Sequence, residues 1–531
     1  MGVGKLLRFL AILAGCLLYA IPRWLHEEFG RVSIDQVLYH LRFGSEGVLT
    51  SDPEIIDRFL WRGLALPLVL ALCLWGLDAW VRYLRGHPEA WPRPWLRLAW
   101  QRLLSMLRHA AHHTLPRIVP LVVLGAGVAF FVDSFSVARY VRGYFGEDYF
   151  ADAYVDPAGI TLERGRKPPK NLVLIYVESL ENTYSDPALF GRDLLQRLNA
   201  FKALPGVVSF DSYRELMGAH FTIASLVSTQ CGLPLKSVAM FSGNDVGEKV
   251  ERYLPGARCL GDILADHGYR NVFLNGSSLA FAGVGKFFRD HRYSRVMGRE
   301  EWIAAGEPPA GMSGWGLRDD DLFRRARVEL DQLMKTRKPF NLTVLTVDTH
   351  HPYGHLSPEC ARRGHQDFEG IVECTADLVA EFVEYIIARG WLDRVAIVVQ
   401  GDHLAMGNTS YDKLVTNPER RVFNLLINDD PKLKANTREI THFDMLPTLL
   451  DLIGLHVKDG RAGLGYSAIG PVRAPRAPDH VDRMAEKLLD YSATYRALWE
   501  PMPAPPAEGA AALRVGTPPA APAAPPPALL R

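Results

Sequence analysis

The first third of the chain is written in long apolar runs, and the remainder is not. Leu6 to Ile21 is almost wholly apolar, with Trp24 just beyond it. Gly63 to Leu77 is a second run, extendable through Trp80 to Val81, and Ile118 to Val132 is a third, extendable to Phe135. Each is near the lower length limit for a helix that crosses a bilayer. All three precede any strand pattern, so they predict transmembrane helices rather than core helices. The Lys5/Arg8 start has the charge of a secretory signal, but no small-residue cleavage site follows it.

The pattern changes at Asn171. Asn171-Leu-Val-Leu-Ile-Tyr-Val177 is a continuous apolar run of strand length, expected of a parallel strand buried on both faces. Similar runs predict strands over Asn271–Leu274, Asn341–Val347, Val395–Gln400 and Phe423–Ile427. Between them lie helical patterns: Asp320–Met334, Ala376–Ala388 with Thr375 as N-cap, and His442–Ile453 with Thr441 as cap and Gly454 as stop. Strands alternating with helices predict a doubly wound α/β domain. The expected organisation is a membrane region of about three helices (1–137), a linker (138–170) and an α/β domain with a central, mostly parallel sheet (171–470). An amphipathic helix (471–500) carries Val481, Met484, Leu488 and Trp499 on one face; it could pack on the domain or on the membrane surface, and the domain is the default. Residues 501–531 are mostly Pro and Ala, the composition of a disordered tail.

Charge then orients these elements. The net charge of +1 over 531 residues gives no footprint for nucleic-acid binding. The stretch from Arg82 to Arg117 carries Arg85, Arg93, Arg97, Arg102 and Arg108, whereas Arg23 to Arg58 is rich in acids, among them Glu27, Glu28, Asp35 and Asp57. The positive-inside rule puts the N-terminus and the second loop in the cytoplasm, and three spans leave everything after about Ser136 outside. Of the 6 cysteines, Cys16 and Cys73 fall in apolar runs. Cys231, Cys259, Cys360 and Cys374 fall in the later region, an even set that permits two disulfides in an oxidising compartment.

Candidate chemistry gathers where ligands meet such sheets, just past the carboxyl ends of strands. Glu178, the Asp348-Thr-His-His351 group and Asp402-His403 each follow a predicted strand. A carboxylate and an imidazole leaving a buried strand are costly to desolvate unless paired or bound to metal. Thr222 opens a predicted helix; its hydroxyl suits an N-cap, and equally suits attack on phosphorus, with helix amides facing the anion. His350 and His351 precede Pro352; one imidazole could hold a phosphate oxygen or protonate a leaving alkoxide. His220, Asn275 and Lys286 are weaker candidates for substrate contact. The set suits metal-assisted transfer of a phosphoryl or sulfuryl group.

Five motifs carry a resemblance: Asn171-Leu-Val-Leu-Ile-Tyr-Val-Glu-Ser-Leu-Glu181, Phe221-Thr-Ile-Ala-Ser-Leu-Val-Ser-Thr-Gln-Cys-Gly-Leu-Pro-Leu235, Cys259-Leu-Gly-Asp-Ile-Leu264, Thr346-Val-Asp-Thr-His-His-Pro352 and Asp402-His-Leu-Ala-Met406. In this order they resemble the phosphoglycerol transferases of osmoregulated periplasmic glucan synthesis. More distantly they are similar to lipoteichoic acid synthases and the sulfatase/alkaline phosphatase superfamily. The resemblance implies Thr222 as nucleophile, with Glu178, Thr222, Asp402 and His403 as metal ligands and His350 as a phosphate contact. It implies a divalent ion, manganese first, with magnesium or zinc as alternatives. It also implies phosphatidylglycerol as donor, a periplasmic glucan or other glycan as acceptor, a multi-pass protein of the bacterial inner membrane with its catalytic domain in the periplasm, and pairing of Cys231 with Cys259 and Cys360 with Cys374. The chain departs from the synthases at Asn275-Gly-Ser-Ser-Leu-Ala-Phe-Ala-Gly283, where they carry phosphate-binding groups. Three other readings stay open. One is a phosphoethanolamine transferase acting on lipid A or another glycan, and another is a non-catalytic membrane sensor or scaffold. A sulfatase is the third, although Cys231-Gly-Leu-Pro-Leu-Lys236 lacks the C-x-P-x-R spacing that formylglycine formation needs.

Overall fold

A computed structural model of the chain describes residues 3–30, 32, 34, 36–38, 53–87, 115–165, 167–236 and 252–500. The arginines at 93, 97, 102 and 108 and the Pro/Ala-rich segment 501–531 lie outside the described residues.

The apolar runs form helices longer than their apolar cores. Helix α1 spans Val3–Phe29. Pro53–Arg58, a π-helical stretch Phe59–Ala65 and α2, Leu66–Gly86, continue one into the next. Helix α3, Leu115–Ser134, is followed by Val137–Gly143 after a bend of 59°. Two of the described helices are long and apolar enough to cross a membrane, or 3 if the bent pair is one span. Helix α1 packs on both others through Ile12, Cys16 and Ala71. Its contact with α3 is backbone to backbone: a Cβ on Gly15 would lie 2.4 Å from the Val123 carbonyl oxygen, and one on Gly127 would lie 2.3 Å from that of Gly15. Small residues at a crossing let helices approach this closely where lipid supplies no hydrophobic drive.

The α/β domain is built on a 7-stranded sheet. In chain order its strands are β1 (Asn171–Val177), β2 (Val207–Val208), β3 (Arg270–Asn275), β4 (Arg295–Met297), β5 (Phe340–Leu345), β6 (Val395–Gly401) and β7 (Asn424–Ile427). Across the sheet the order is β2-β7-β6-β1-β5-β3-β4. From β6 to β4 all neighbours are parallel, whereas β7 runs antiparallel to both β6 and β2. The Phe423–Ile427 strand is thus real but reversed. Strand β1 shows why the apolar runs are continuous: Leu172, Leu174 and Tyr176 join the core on one face, and Val173, Ile175 and Val177 join the core on the other. The first core includes α4 (Thr222–Cys231) and Met445–Leu452; the second includes α5 (Asp319–Lys335) and α6 (Phe368–Ala388).

Three expectations need correction. Thr375 is not a cap, because α6 begins at Phe368 with Asp367 capping it through the Gly370 amide; the Thr375 hydroxyl points inward and donates to Asp319 at 3.0 Å. The stretch 138–170 is not a bare linker: Tyr149–Ala153 is helical, Phe150 is buried against Tyr495, and Leu162–Arg164 pairs with Leu455–Val457. The amphipathic stretch Asp479–Trp499 is two short helices, His480–Lys487 and Ala493–Ala497, and Val481, Met484, Leu488 and Tyr495 pack into the domain core. Disulfide Cys231–Cys259 ties the end of α4 to the start of helix Leu260–Asp266, and Cys360–Cys374 joins helix Pro358–Arg362 to α6.

A buried carboxyl pair closes the end of β5. Asp319 accepts from the amides of Val347 (2.8 Å) and Asp348 (3.2 Å), while the Asp319 amide donates to Asp348. Burial pushes the Asp319 carboxyl up to about 7, against the hydrogen bonds that favour its charge, and burial together with Asp319 raises Asp348 as well. The folded chain therefore holds a proton that the unfolded chain releases near pH ~4. That contribution is complete below about pH 4 and is lost as pH rises through the folded value. Urea unfolding of the detergent-solubilised chain should show stability falling from about pH 5 to about pH 8, with a limiting slope of about 1.4 kcal/mol per pH unit per proton. Asp319→Asn should flatten that slope.

Candidate active site

Strands β6, β1 and β5 are neighbours and parallel, so their carboxyl ends open side by side. Asp402 follows β6, Glu178 follows β1, and the Asp348–His351 group follows β5. The turn after β1 is fixed from both sides. The Glu178 amide donates to Thr346 Oγ1 (2.9 Å), and the Thr349 hydroxyl donates to the Glu178 carbonyl (2.6 Å). Ser179 is left-handed at φ 57°, a costly conformation for a non-glycine residue. It is held because its amide donates to Asp402 Oδ1 and its hydroxyl to Glu178 Oε1, both at 2.8 Å. Gly401 is required for this closeness: a Cβ there would lie 2.0 Å from the Leu180 carbonyl oxygen.

Glu178, Asp402 and His403 converge, with one ligand atom from each lying within 4.8 Å of the others. His403 Nε2 is 3.3 Å from Glu178 Oε1 and 3.5 Å from Asp402 Oδ2. All three side chains are buried. His403 Nδ1 faces the Leu404 carbonyl at 2.8 Å, which assigns a proton there and turns Nε2 toward the cluster. Asp402 Oδ1 accepts from the Ser179 and His403 amides, while buried Oδ2 has no hydrogen-bond partner among the described residues. Behind it, His442 Nε2 holds the Asp402 carbonyl at 2.6 Å.

Burial and mutual charge set the protonation states of the cluster. Burial disfavours a charge on Glu178, but His403 and His350 hold its carboxyl well below the ordinary range. Burial, reinforced by Glu178, pushes Asp402 up to about 8. Burial works against a charge on His403 too, yet Asp402 and Glu178 push it up to about 10. Two buried carboxyls compete here for one proton-bearing partner. An orphaned carboxylate oxygen, a second carboxylate and an imidazole nitrogen in one dry cluster fit a divalent cation.

Thr222 completes the cluster. It is the first residue of α4, preceded by Phe221 in extended conformation, and its side chain caps nothing. Its Oγ1 instead lies 3.4 Å from both Glu178 Oε2 and His403 Nε2. The unpaired amides and positive dipole end of α4 thus sit beside the hydroxyl.

A cavity of about 440 Å³ opens on this group, and Glu178, Thr222, His350, His351 and His403 line it. His350 stacks on Trp315 with ring centroids 3.9 Å apart, and its Nδ1 faces the His351 carbonyl at 2.8 Å. Burial keeps the His351 imidazole neutral, well below its ordinary range. The other candidates do not line the cavity. His220 is buried, accepts from the Gly218 amide and meets Gln36 Oε1 at 2.8 Å. Asn275 is bonded to Ser277, and Lys286 pairs with Asp290 at 3.0 Å. The sequence reading did not single out Trp315 or the cavity wall formed by Trp24, Phe29, Ile55 and Phe59. A Trp between two glycines at 314–316 was a signal for the first; nothing local marked the others.

A hydroxyl at a helix N-terminus stands against a cation-ready cluster above the parallel strands of the sheet. Residues 170–455 match the family described as Sulfatase, and the chain belongs to that family. It has the sulfatase-like fold, with a mixed central sheet. The chain is 35% identical over 383 residues to phosphoglycerol transferase I of Escherichia fergusonii, across 70% of this chain and 48% of that protein. It is 34% identical over 422 residues to phosphoglycerol transferase I of Salmonella typhimurium, across 78% of this chain and 51% of that protein. The chain spans about half the length of the curated relatives it matches. Among solved structures it is similar to a protein in the alkaline phosphatase superfamily from Vibrio parahaemolyticus, at TM-score 0.46 and 19% identity over 68% of this chain and 96% of that one.

Two outcomes follow from the geometry. Asp402→Asn should lower the divalent-metal content of the purified protein at least tenfold, measured by mass spectrometry of the metal, while circular dichroism stays unchanged. Gly401→Ala should destabilise by several kcal/mol, because the intruding atom meets backbone rather than a side chain that can move; a thermal midpoint within about a degree of wild type would contradict it.

Proposed function

We propose that this chain is a membrane-anchored, metal-dependent phosphoglycerol transferase that moves phosphoglycerol from phosphatidylglycerol to a periplasmic glucan or related glycan. The observation that carries this reading is the Thr222 hydroxyl, directed at Glu178 and His403 instead of capping its own helix. The name shared by the relatives selects phosphoglycerol as the group moved.

Glu178, Asp402 and His403, with Thr222 as a fourth ligand, would hold the ion. Manganese is the proposed occupant, with magnesium and zinc as alternatives. Bound there, a divalent ion supplies charge neutralisation at the phosphoryl oxygens and a lowered pKa at the threonine hydroxyl. The chain's own groups do the rest. Thr222 Oγ1 attacks phosphorus and its proton leaves toward Glu178. As the new O–P bond forms, the bond to the diacylglycerol oxygen breaks, and His350 gives that oxygen a proton. The α4 amides face the phosphoryl oxygens throughout. A sugar hydroxyl then attacks the phosphoglycerol-threonine and gives its proton to His350; the Thr222 Oγ1–phosphorus bond breaks, Glu178 returns the proton to Thr222, and two inversions give retention at phosphorus.

The proposed setting is the bacterial inner membrane, with the α/β domain on the periplasmic side. Two disulfides in that domain support an oxidising compartment.

Incubating the purified chain with manganese and head-group-labelled phosphatidylglycerol should release diacylglycerol and leave a phosphoglycerol mass on the peptide containing Thr222. Thr222→Ala should lower release by about a thousandfold or more and abolish the adduct. Release from phosphatidylethanolamine, with none from phosphatidylglycerol, would replace the head group in this proposal; silence with both lipids would remove the enzyme.

A further inference from the structure

We infer that the acyl portion of the lipid donor is held by residues of the membrane segment, which form one wall of the active-site cavity itself. The inference rests on the transferase reading above and adds the part of the donor that this reading leaves unplaced.

The cavity of about 440 Å³ is two-sided. Its polar end holds Thr222, Glu178, His350 and His403, all from the α/β domain. The opposite wall is Trp24, Leu25, Phe29, Val32, Ile55 and Phe59. These come from the last turns of α1, the residues just after it, and the first turns of the next apolar rod. The volume is within the range of small-molecule sites. Apart from Gln36, whose Oε1 meets His220 Nε2, the wall is almost all carbon, and no Lys or Arg is among the described residues that line the cavity. An oligosaccharide would need hydroxyl partners along that wall. An ester-linked hydrocarbon needs none, and the same two helices run on into the candidate spans, so its chains pass from cavity to bilayer along one continuous apolar surface.

The wall is fastened to the catalytic side rather than resting near it. The Phe29 ring stands edge-on to His351 at 5.3 Å, and Gln36 Oε1 meets His220 Nε2 at 2.8 Å two residues before the nucleophile. Arg58 and Glu28, joined at 3.1 Å, bind the two membrane helices to each other, and the Arg58 guanidinium also lies 6.0 Å from the centre of the Tyr353 ring. A Cβ on Gly407 would lie 2.5 Å from the Glu27 carbonyl oxygen, so the loop after His403 runs directly against the end of α1. Trp24 and Phe59, 4.9 Å apart, make the centre of the wall. Catalysis and donor choice are thereby divided: the sheet supplies the chemistry, and the membrane helices read the leaving group.

The test compares two donors on the full chain in detergent: dioleoyl phosphatidylglycerol, and glycerophospho-p-nitrophenol, a glycerol phosphodiester without acyl chains. Wild type should turn over both, with a higher kcat/KM for the lipid. Trp24→Ala and Phe59→Ala should each lower the lipid-to-soluble ratio of kcat/KM about tenfold, chiefly through KM. An unchanged ratio would overturn this inference and leave the transferase reading standing. No turnover of either diester by wild type would overturn that reading, and this inference with it. A second measurement does not depend on the variants folding. Phosphatidylglycerol bearing a diazirine near the acyl ester should crosslink wild type at Trp24, Leu25, Phe29, Val32, Ile55 and Phe59, and excess short-chain phosphatidylglycerol should abolish it. Crosslinks confined to the outer faces of α2 and α3 would count against the subsite.

Discussion

Everything in this molecule's site depends on three strands lying parallel and adjacent. Strand β1 pairs with β5 on one side and β6 on the other, in registers that bring their ends to a common level. Glu178, the Asp348–His351 turn and Asp402-His403 then share one rim, although together they span more than two hundred residues of the chain. Parallel pairing alone does not bring carboxylates this close. The Ser179 turn and the glycine at 401 do, by letting the chain after β1 press against the end of β6. The cost of that strain and of three desolvated ionisable groups falls on the apolar cores above and below the sheet, where β1 alternates its side chains between two packed layers.

Much of this was legible in the sequence, for an identifiable reason. A strand buried on both faces tolerates no polar residue until it ends, so a Glu, or an Asp-His pair, directly after such a run has few places to be. The five long runs read correctly as strands, and the residues after β1 and β6 read as candidate ligands. Direction was not legible: Asn424–Ile427 looks like its parallel neighbours but is antiparallel, because an apolar run carries no arrow. Nor was Thr375, which has the chemistry of a cap but turns inward to Asp319, while Asp367 caps the helix two turns earlier. Thr222 is the reverse case. Its sequence context reads equally as a cap, and only the position of Glu178 and His403 shows where the hydroxyl goes.

How the proposed anionic donor is neutralised was the least readable feature, and the structure explains why. The basic residue nearest in sequence to the departing segment, Lys286, is spent on Asp290. The cavity instead offers imidazoles, a helix N-terminus and a cluster that calls for a cation. None of these is a sequence-local property. The apolar wall is similarly invisible: Trp24, Ile55 and Phe59 fall outside the apolar runs, Ile55 in the acid-rich loop, and only the fold turns them toward Thr222.

The glycine contact between α1 and α3 reaches further than helix packing. With the two backbones touching at Gly15 and Gly127, and the end of α1 pressed against the loop after His403, the candidate spans and the site are held together; under the proposed function this sets Thr222 at a fixed height above the lipid surface. Such a catalyst does not sample its donor from a volume. For the proposed lipid, its rate follows the mole fraction of donor in the surrounding leaflet, so dilution by inert lipid slows it even when the total amount of donor in suspension is unchanged.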